Sequence, residues 1–271
     1  MNSVSVIMTY FNENVDQLKR AIESIQNQTY PITEFVIVAG NPDNNSGIDF
    51  VSKLSKMEPR IIHIVCDKRV RMTDCLNMAI LKAKSEFIAL QEADDSSDIE
   101  RISTQVDFLK NNGDIDICGT AVNYIQDGTN FLIARRYYPE NPQEAFKRYS
   151  ALGHSTYLVR KYIFEKYGYY LENDEFKNCP DYEMFLRWLV QGVQFRSLNK
   201  VLFNYYQSDS NGRNVNIRKT LKSVIKLKMK YLSVLKFGLV DRFVLTLERI
   251  LVLLPEGIIA KLFYIWLKFK H

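Results

Sequence analysis

The sequence predicts an α/β fold: a mixed central sheet, parallel in its first half, flanked by helices and followed by a helical extension. Three observations predict it. Short apolar runs alternate with amphipathic helical segments through the first hundred residues, and repeated β-α units place a parallel sheet between two helical layers. After Gly113 the pattern changes to longer strand-like runs around a Gln126-Asp127-Gly128 turn, the chemistry of a hairpin. From Arg213 onward basic and apolar residues mix at helical spacing.

The elements follow in order. Val4-Ser5-Val6-Ile7-Met8 reads as the first strand. Residues 15–28 place Leu18, Ala21, Ile22 and Ile25 on one helical face, and Pro31 stands where a helix has to stop. Residues 34–38 read as a second strand, and residues 41–47 are rich in turn-forming Asn, Pro, Asp and Gly. A helix over 48–57, a strand over 61–66 and a helix over 73–84 come next, the last with Leu76, Ala79, Ile80 and Ala83 inward. Phe87-Ile88-Ala89-Leu90 is the fourth strand. Residues 115–125 and 131–138 flank the hairpin turn, residues 155–159 suit another strand, and residues 181–191 suit a helix with Phe185, Trp188 and Leu189 buried. Residues 201–207 make a last short strand. Ser210-Asn211-Gly212 is a polar junction where the charge balance shifts, so the expected division is a domain over 1–212 and a basic amphipathic helical tail over 213–271.

Composition narrows the class. A chain of 271 residues with 46% hydrophobic and 25% charged residues can bury a sizeable core. Cys66, Cys75, Cys118 and Cys179 form no CxxC pair, which argues against zinc or a disulfide framework and fits a reducing compartment. The first residues have no basic n-region and too short an apolar run for a signal peptide, so a cytoplasmic location is expected. The net charge of +5 is uneven: the tail from Arg213 carries thirteen Lys and Arg against Asp241, Glu248 and Glu256. A uniformly basic nucleic-acid-binding surface is therefore not expected. The first strand is followed by no GxGxxG, which removes a dinucleotide-binding oxidoreductase.

Glu92, Asp94 and Asp95 crowd the end of the fourth strand. Like charges this close raise one another's pKa unless a cation or proton compensates. Hard carboxylate oxygens suit Mg²⁺ or Mn²⁺, which is typically held by one or two carboxylates while phosphate oxygens complete its shell. The alternative is a solvated loop in which Ser96 or Asp98 caps the next helix. Ligands in such sheets bind beyond the carboxyl ends of the strands, which favours the first reading.

Five segments in order resemble the glycosyltransferases of family two, inverting enzymes of GT-A fold such as those that build bacterial polysaccharides and capsules. They are the opening run Val4 to Asn12, Gln26-Asn27-Gln28-Thr29-Tyr30-Pro31, Leu76-Asn77 with Ala83-Lys84-Ser85-Glu86-Phe87-Ile88-Ala89, Glu92-Ala93-Asp94-Asp95 with Arg101 and Gln105, and Asp181-Tyr182-Glu183-Met184-Phe185-Leu186-Arg187. The resemblance implies transfer of a sugar from a nucleoside diphosphate sugar to an acceptor hydroxyl on a glycan or a lipid-linked carrier. It implies that Asp94, with Glu92 and Asp95, holds Mn²⁺ or Mg²⁺. Thr9, Tyr10, Asn12, Glu13, Gly40, Arg71, Asn77, Glu92, Ala93 and Asp94 would line the donor site, and Asp181 would be the general base. Read without the resemblance, Asp181 is equally a helix N-cap after Pro180.

The chain departs from the family pattern at several positions. Ala39-Gly40 stands where the family has an Asp pair, leaving Asn41 or Asp43 as substitutes toward the base. Glu92 replaces the first Asp, Pro180 replaces the Glu before the base, and Val70 replaces a Gly. Lys68, Arg69 and Arg71 crowd one loop, either to reach a diphosphate or as a solvated basic turn. His154 falls where the family often carries an acceptor-side His, although a lone His is commonly structural. These departures keep open a catalytically silent binding or assembly subunit. The tail suits helices lying in an anionic membrane interface, peripheral on the inner face of the plasma membrane; the alternative is packing on the domain or a second subunit.

Overall fold

The computed structural model describes residues 2–172, 175–207 and 217–259. Strands β1 (Val4–Tyr10), β2 (Glu34–Ala39), β3 (Ile61–Val65) and β4 (Phe87–Leu90) are all parallel, with β1 between β2 and β4. Helices α1 (Val15–Gln26), α2 (Asn45–Met57) and α3 (Met72–Lys82) make the crossovers. β1 and β2 are buried along their whole length, as strands covered on both faces must be. Asn14 opens α1 with a reciprocal capping box to Gln17.

The second half mixes directions. Short strand β5 (Ser96–Ser97) precedes α4 (Arg101–Asn111), then come β6 (Ile117–Gln126), β7 (Phe131–Arg136), β8 (Leu158–Arg160), α5 (Tyr162–Tyr167), α6 (Pro180–Val190) and β9 (Phe195–Gln207). The strand order is β3-β2-β1-β4-β8-β6-β9-β5, with β7 pairing β6. One apolar core packs α1, α2 and α4 on one face of the sheet, and a second packs α3, α5 and α6 on the other.

Several boundaries differ from the sequence reading for local reasons. α2 starts three residues early because the Asn44 side chain accepts from the Gly47 amide and caps the helix inside the turn-rich stretch. Residues 154–156 form a 3-10 turn, so β8 starts only at Leu158. Ser96 does not cap a helix; it pairs with Asn204 of β9, and α4 begins at Arg101 without a side-chain cap. β9 is thirteen residues long and follows β6 through two register shifts, where Asn199 and Lys200 interrupt the apolar alternation.

Beyond the sheet lie α7 (Ile217–Tyr231) and α8 (Leu239–Leu251). α7 packs on the body: Leu227 and Tyr231 are buried, and the Tyr231 hydroxyl lies 3.5 Å from Glu183 Oε1. Lys228 is 1% exposed and donates to Glu248 Oε1 and to the Arg148 carbonyl, both at 2.5 Å. Removing either partner of such a pair strands a buried charge, at a cost of about 3–5 kcal/mol; the contacts join α8 to α7 and, through the Arg148 carbonyl, to the body. One face of α7, with Leu227, Lys228 and Tyr231, therefore packs on the body. The expected junction at Ser210-Asn211-Gly212 and the apolar run with Phe263, Tyr264 and Trp266 lie outside the described residues.

Candidate active site

The carboxyl ends of β1, β2 and β4 converge on one cleft. β2 runs into Gly40, where an added Cβ would sit 2.2 Å from the Phe11 ring and 2.8 Å from Cys75 Sγ. Only glycine lets the two chain ends approach so closely. The Gly40 amide donates to the Tyr10 carbonyl at 2.9 Å, and the Gly40 carbonyl accepts from Val70, which draws the loop of Lys68 and Arg69 to the rim. Glu13 Oε2 accepts from the amides of Phe11 (2.6 Å) and Asn12 (3.0 Å), folding the first loop back on itself. Asn41 Nδ2 donates to Asn12 Oδ1 at 2.9 Å and joins the first loop to the second.

The acids leave β4 into this cleft. Glu92 and Asp94 are half-buried and Asp95 is fully buried. Asp95 Oδ1 accepts from the Tyr206 amide at 2.9 Å, while its Oδ2 is buried without a hydrogen-bond partner among the described residues. Burial, then the charges of Glu92 and Glu13, pushes the Asp94 pKa up to about 6. Burial and the Asp94 charge push Asp95 well above the carboxylate range. An all-oxygen donor set with an orphaned carboxylate oxygen and too much negative charge fits a hard divalent cation. Among the described residues no three His, Cys, Asp or Glu side chains already form a metal cage.

Arg20, on α1, is the cation that meets this loop. Its Nη2 donates to the Asp94 carbonyl, its Nη1 donates to Asp127 Oδ1 at 2.8 Å, and its guanidinium lies 3.6 Å from the Tyr206 ring centroid. One side chain thus ties together the acid loop, the β6–β7 turn and the end of β9.

His154 links the acids to the far side of the cleft. Its Nδ1 is 3.5 Å from Glu92 Oε1, and its Nε2 shares a hydrogen bond of 2.7 Å with the Tyr170 hydroxyl. Burial works against the imidazolium, but the Glu92 hydrogen bond and the Asp181 and Glu92 charges prevail, and the net pKa shift is upward. Arg101 and Gln105 of α4 place this turn. Arg101 Nη1 donates to the Leu90 and Ser155 carbonyls, and Gln105 Nε2 donates to the Thr156 carbonyl at 2.8 Å. Asp181 sits in the first turn of α6, where the helix dipole favours a negative charge. It is not the N-cap: Cys179 holds that position and Pro180 the next. The Ser150 hydroxyl reaches Asp181 Oδ2 at 3.5 Å.

The other expected donor-site residues divide by exposure. Thr9, Tyr10 and Ala93 are buried, and the Tyr10 hydroxyl shares a hydrogen bond of 2.9 Å with His63 on the α1–α2 side of the sheet. Asn77 is also buried; its Nδ2 donates to the Tyr170 carbonyl and to Glu172 Oε1, and its Oδ1 accepts from Tyr170. Arg71 is exposed at the cleft edge and makes a two-pronged pair with Asp74 in the first turn of α3. Arg71 also donates to the Glu172 carbonyl. Arg71 and Asn77 thus both hold the segment around Glu172 against α3.

The family profile described as Glycosyl transferase family 2 matches residues 5–168, more than half of the chain. The chain belongs to glycosyl transferase family 2. It is 28% identical over 268 residues to an uncharacterized glycosyltransferase of Methanocaldococcus jannaschii, covering 94% of this chain and 91% of that protein. It is 26% identical over 210 residues to the O-antigen biosynthesis glycosyltransferase WbnJ of Escherichia coli, covering 76% and 80% respectively. Among solved structures, S. aureus TarS 1–349 in complex with UDP-GlcNAc superposes with a TM-score of 0.65 at 14% identity, over 85% of this chain and 66% of that one. The fold is therefore GT-A, and the chain is a glycosyltransferase with relatives in polysaccharide biosynthesis.

The family motifs did not mark Arg20 or Asp127. They lie 107 residues apart, and helical spacing alone shows Arg20 as one charge on a surface helix. Lysine cannot reproduce a fork that binds two oxygens and stacks on a ring. Arg20→Lys is expected to lower kcat/KM for the nucleotide sugar by about 10–100-fold, the usual cost of losing a ligand-orienting contact. Steady-state kinetics at varied donor concentration would show the loss mainly in the donor half-saturation.

Proposed function

We propose that this family 2 glycosyltransferase is a metal-dependent inverting enzyme that moves a sugar from a nucleoside diphosphate donor to a hydroxyl of a glycan, carried on a lipid. The observation that carries this reading is the crowding of buried acids at the end of β4, with His154 against Glu92 and near enough to Asp181 to feel its charge. Glu92, Asp94 and Asp95 would hold Mn²⁺ or Mg²⁺ against the diphosphate, which supplies charge stabilisation for the leaving group.

Asp181 accepts the proton of the acceptor hydroxyl as that oxygen attacks the anomeric carbon. The bond from the sugar to the diphosphate breaks with its electron pair leaving on the diphosphate, so configuration inverts in one displacement. His154 holds Glu92 in orientation. A UDP-sugar is the first donor to test, because TarS, whose fold this chain shares, was solved with UDP-GlcNAc. The O-antigen name of WbnJ supports a bacterial surface glycan as acceptor. Ala39-Gly40 offers no carboxylate to the base, and this favours a second reading as a silent binding subunit.

Incubation with UDP-, GDP- and dTDP-sugars and Mn²⁺ separates the two. Metal-dependent hydrolysis or transfer supports the enzyme; nucleotide binding without turnover across the panel supports the silent subunit. A pH series adds an independent check. A carboxyl whose folded pKa is raised to about 6 favours folding below its ordinary range, and that contribution is lost as pH rises through 6. The metal-free protein therefore carries an uncompensated charge at neutral pH. Mn²⁺ with UDP is expected to raise Tm more at about pH 7.5 than at about pH 5.5, where protons compete for Asp94. Differential scanning calorimetry measures both.

A further inference from the structure

We propose that the outward face of α8, together with the groove between α7 and α8, is a docking surface for an anionic lipid bilayer. α8 is amphipathic in the opposite sense to a helix packed on a core. Its inner face carries Asp241 and Glu248, paired to Arg148 and Lys228, with Leu245 as its buried apolar residue. Its outer face carries Leu239 (89% exposed), Val240, Phe243 (63%), Leu247 and Ile250, and the stripe continues past the helix end to Leu253 (80%). By helical spacing these residues span about 140° of the circumference. An apolar stripe of this width on a surface helix marks an interaction site.

The surrounding charge identifies the occupant. Arg242 and Arg249 run along one edge of the stripe and are exposed, as are Lys222 and Lys236. Glu256 is the one exposed acid between Ile217 and Ile259. Between the helices lies a groove of about 510 Å³ with an apolar floor that includes Ile225, Met229 and Leu253. Lys222, Lys226 and Arg249 line it; Lys226 also pairs with Glu175 at 3.2 Å. Residues 260–271 carry Lys261, Lys268 and Lys270 and no acid, so they cannot supply countercharge to this face. A second copy would bring the same excess of cations. Anionic headgroups above an apolar layer match both the stripe and its basic edge. The surface rests on the lipid-carried acceptor for its purpose alone, since its occupancy needs no sugar.

Co-flotation of the full chain with vesicles of phosphatidylcholine, with or without phosphatidylglycerol, tests it. The protein is expected to float with the phosphatidylglycerol vesicles and poorly with phosphatidylcholine alone. Phe243→Ser, Leu247→Ser and Ile250→Ser combined should reduce partitioning about tenfold or more. Lys222→Glu with Arg249→Glu should reduce the phosphatidylglycerol preference by about tenfold or more. All five positions are exposed, so far-ultraviolet circular dichroism and Tm should match the parent. Absence of flotation by the parent overturns the proposal, as does flotation of the triple variant equal to the parent's. A parent dimer in sedimentation that the triple variant dissolves also overturns it and makes the face a joint between copies. Vesicle binding without sugar transfer leaves docking standing and removes the transferase reading; transfer without vesicle binding does the reverse.

Discussion

Asp181→Asn is expected to lower kcat by about 10²–10⁴-fold, the range that a positioned general base contributes. Asparagine keeps the shape and the contact with Ser150 but cannot take a proton. Donor and metal binding should survive, because among the described residues the Asp181 carboxylate has a hydrogen-bond contact with Ser150 and none with the acid loop. The diagnostic pattern is therefore a collapse of kcat with donor KM and calorimetric UDP affinity near the parent values. Equal loss of UDP binding would mean that Asp181 supports the cleft instead of the acceptor, and the assignment of the base would move elsewhere.

Asp94→Asn is expected to lower kcat/KM by about 10³-fold, with the loss in metal affinity and in leaving-group stabilisation together. Removing this charge has a second, opposite consequence. The carboxylate is held in a buried, negative surrounding with its pKa pushed up to about 6, so at neutral pH its ionisation works against folding. The metal-free variant should therefore melt higher than the metal-free parent, and Mn²⁺ with UDP should no longer raise its Tm. Gained stability with lost activity is the signature of a site that stores unfavourable charge for a ligand. A variant that melted lower and kept its response to Mn²⁺ would show that Asp94 is structural.

The same stored charge explains how legible the site was. Three carboxylates in four residues after an apolar run are a local signal, and β4 does end at Leu90 just before them. The β-α alternation is equally local, since each strand or helix declares itself by the spacing of its own apolar residues. Asp181 stood out in the sequence only through the motif around it. Its surroundings were not legible: Cys179 as the N-cap and Ser150 as the neighbour depend on how residues 150 and 179 meet. The Ser155–Val159 strand was misplaced because Gly153 and Thr156 close a 3-10 turn that alternation cannot reveal.

By itself the sequence determined the alternation of the first four strands and their helices, the position of the acids beyond the fourth strand, and the membership in a family of sugar-transferring enzymes; the short elements β5 and α5 it did not reveal. The tertiary structure alone decided that Arg20 grips the Asp94 loop across 74 residues, that His154 meets Glu92, and that α7 buries its lysine while α8 turns its apolar side outward. The physical reason is range. Periodicity and motifs record what neighbours along the chain do together, whereas a buried charge finds its partner wherever packing brings one, at any separation in sequence.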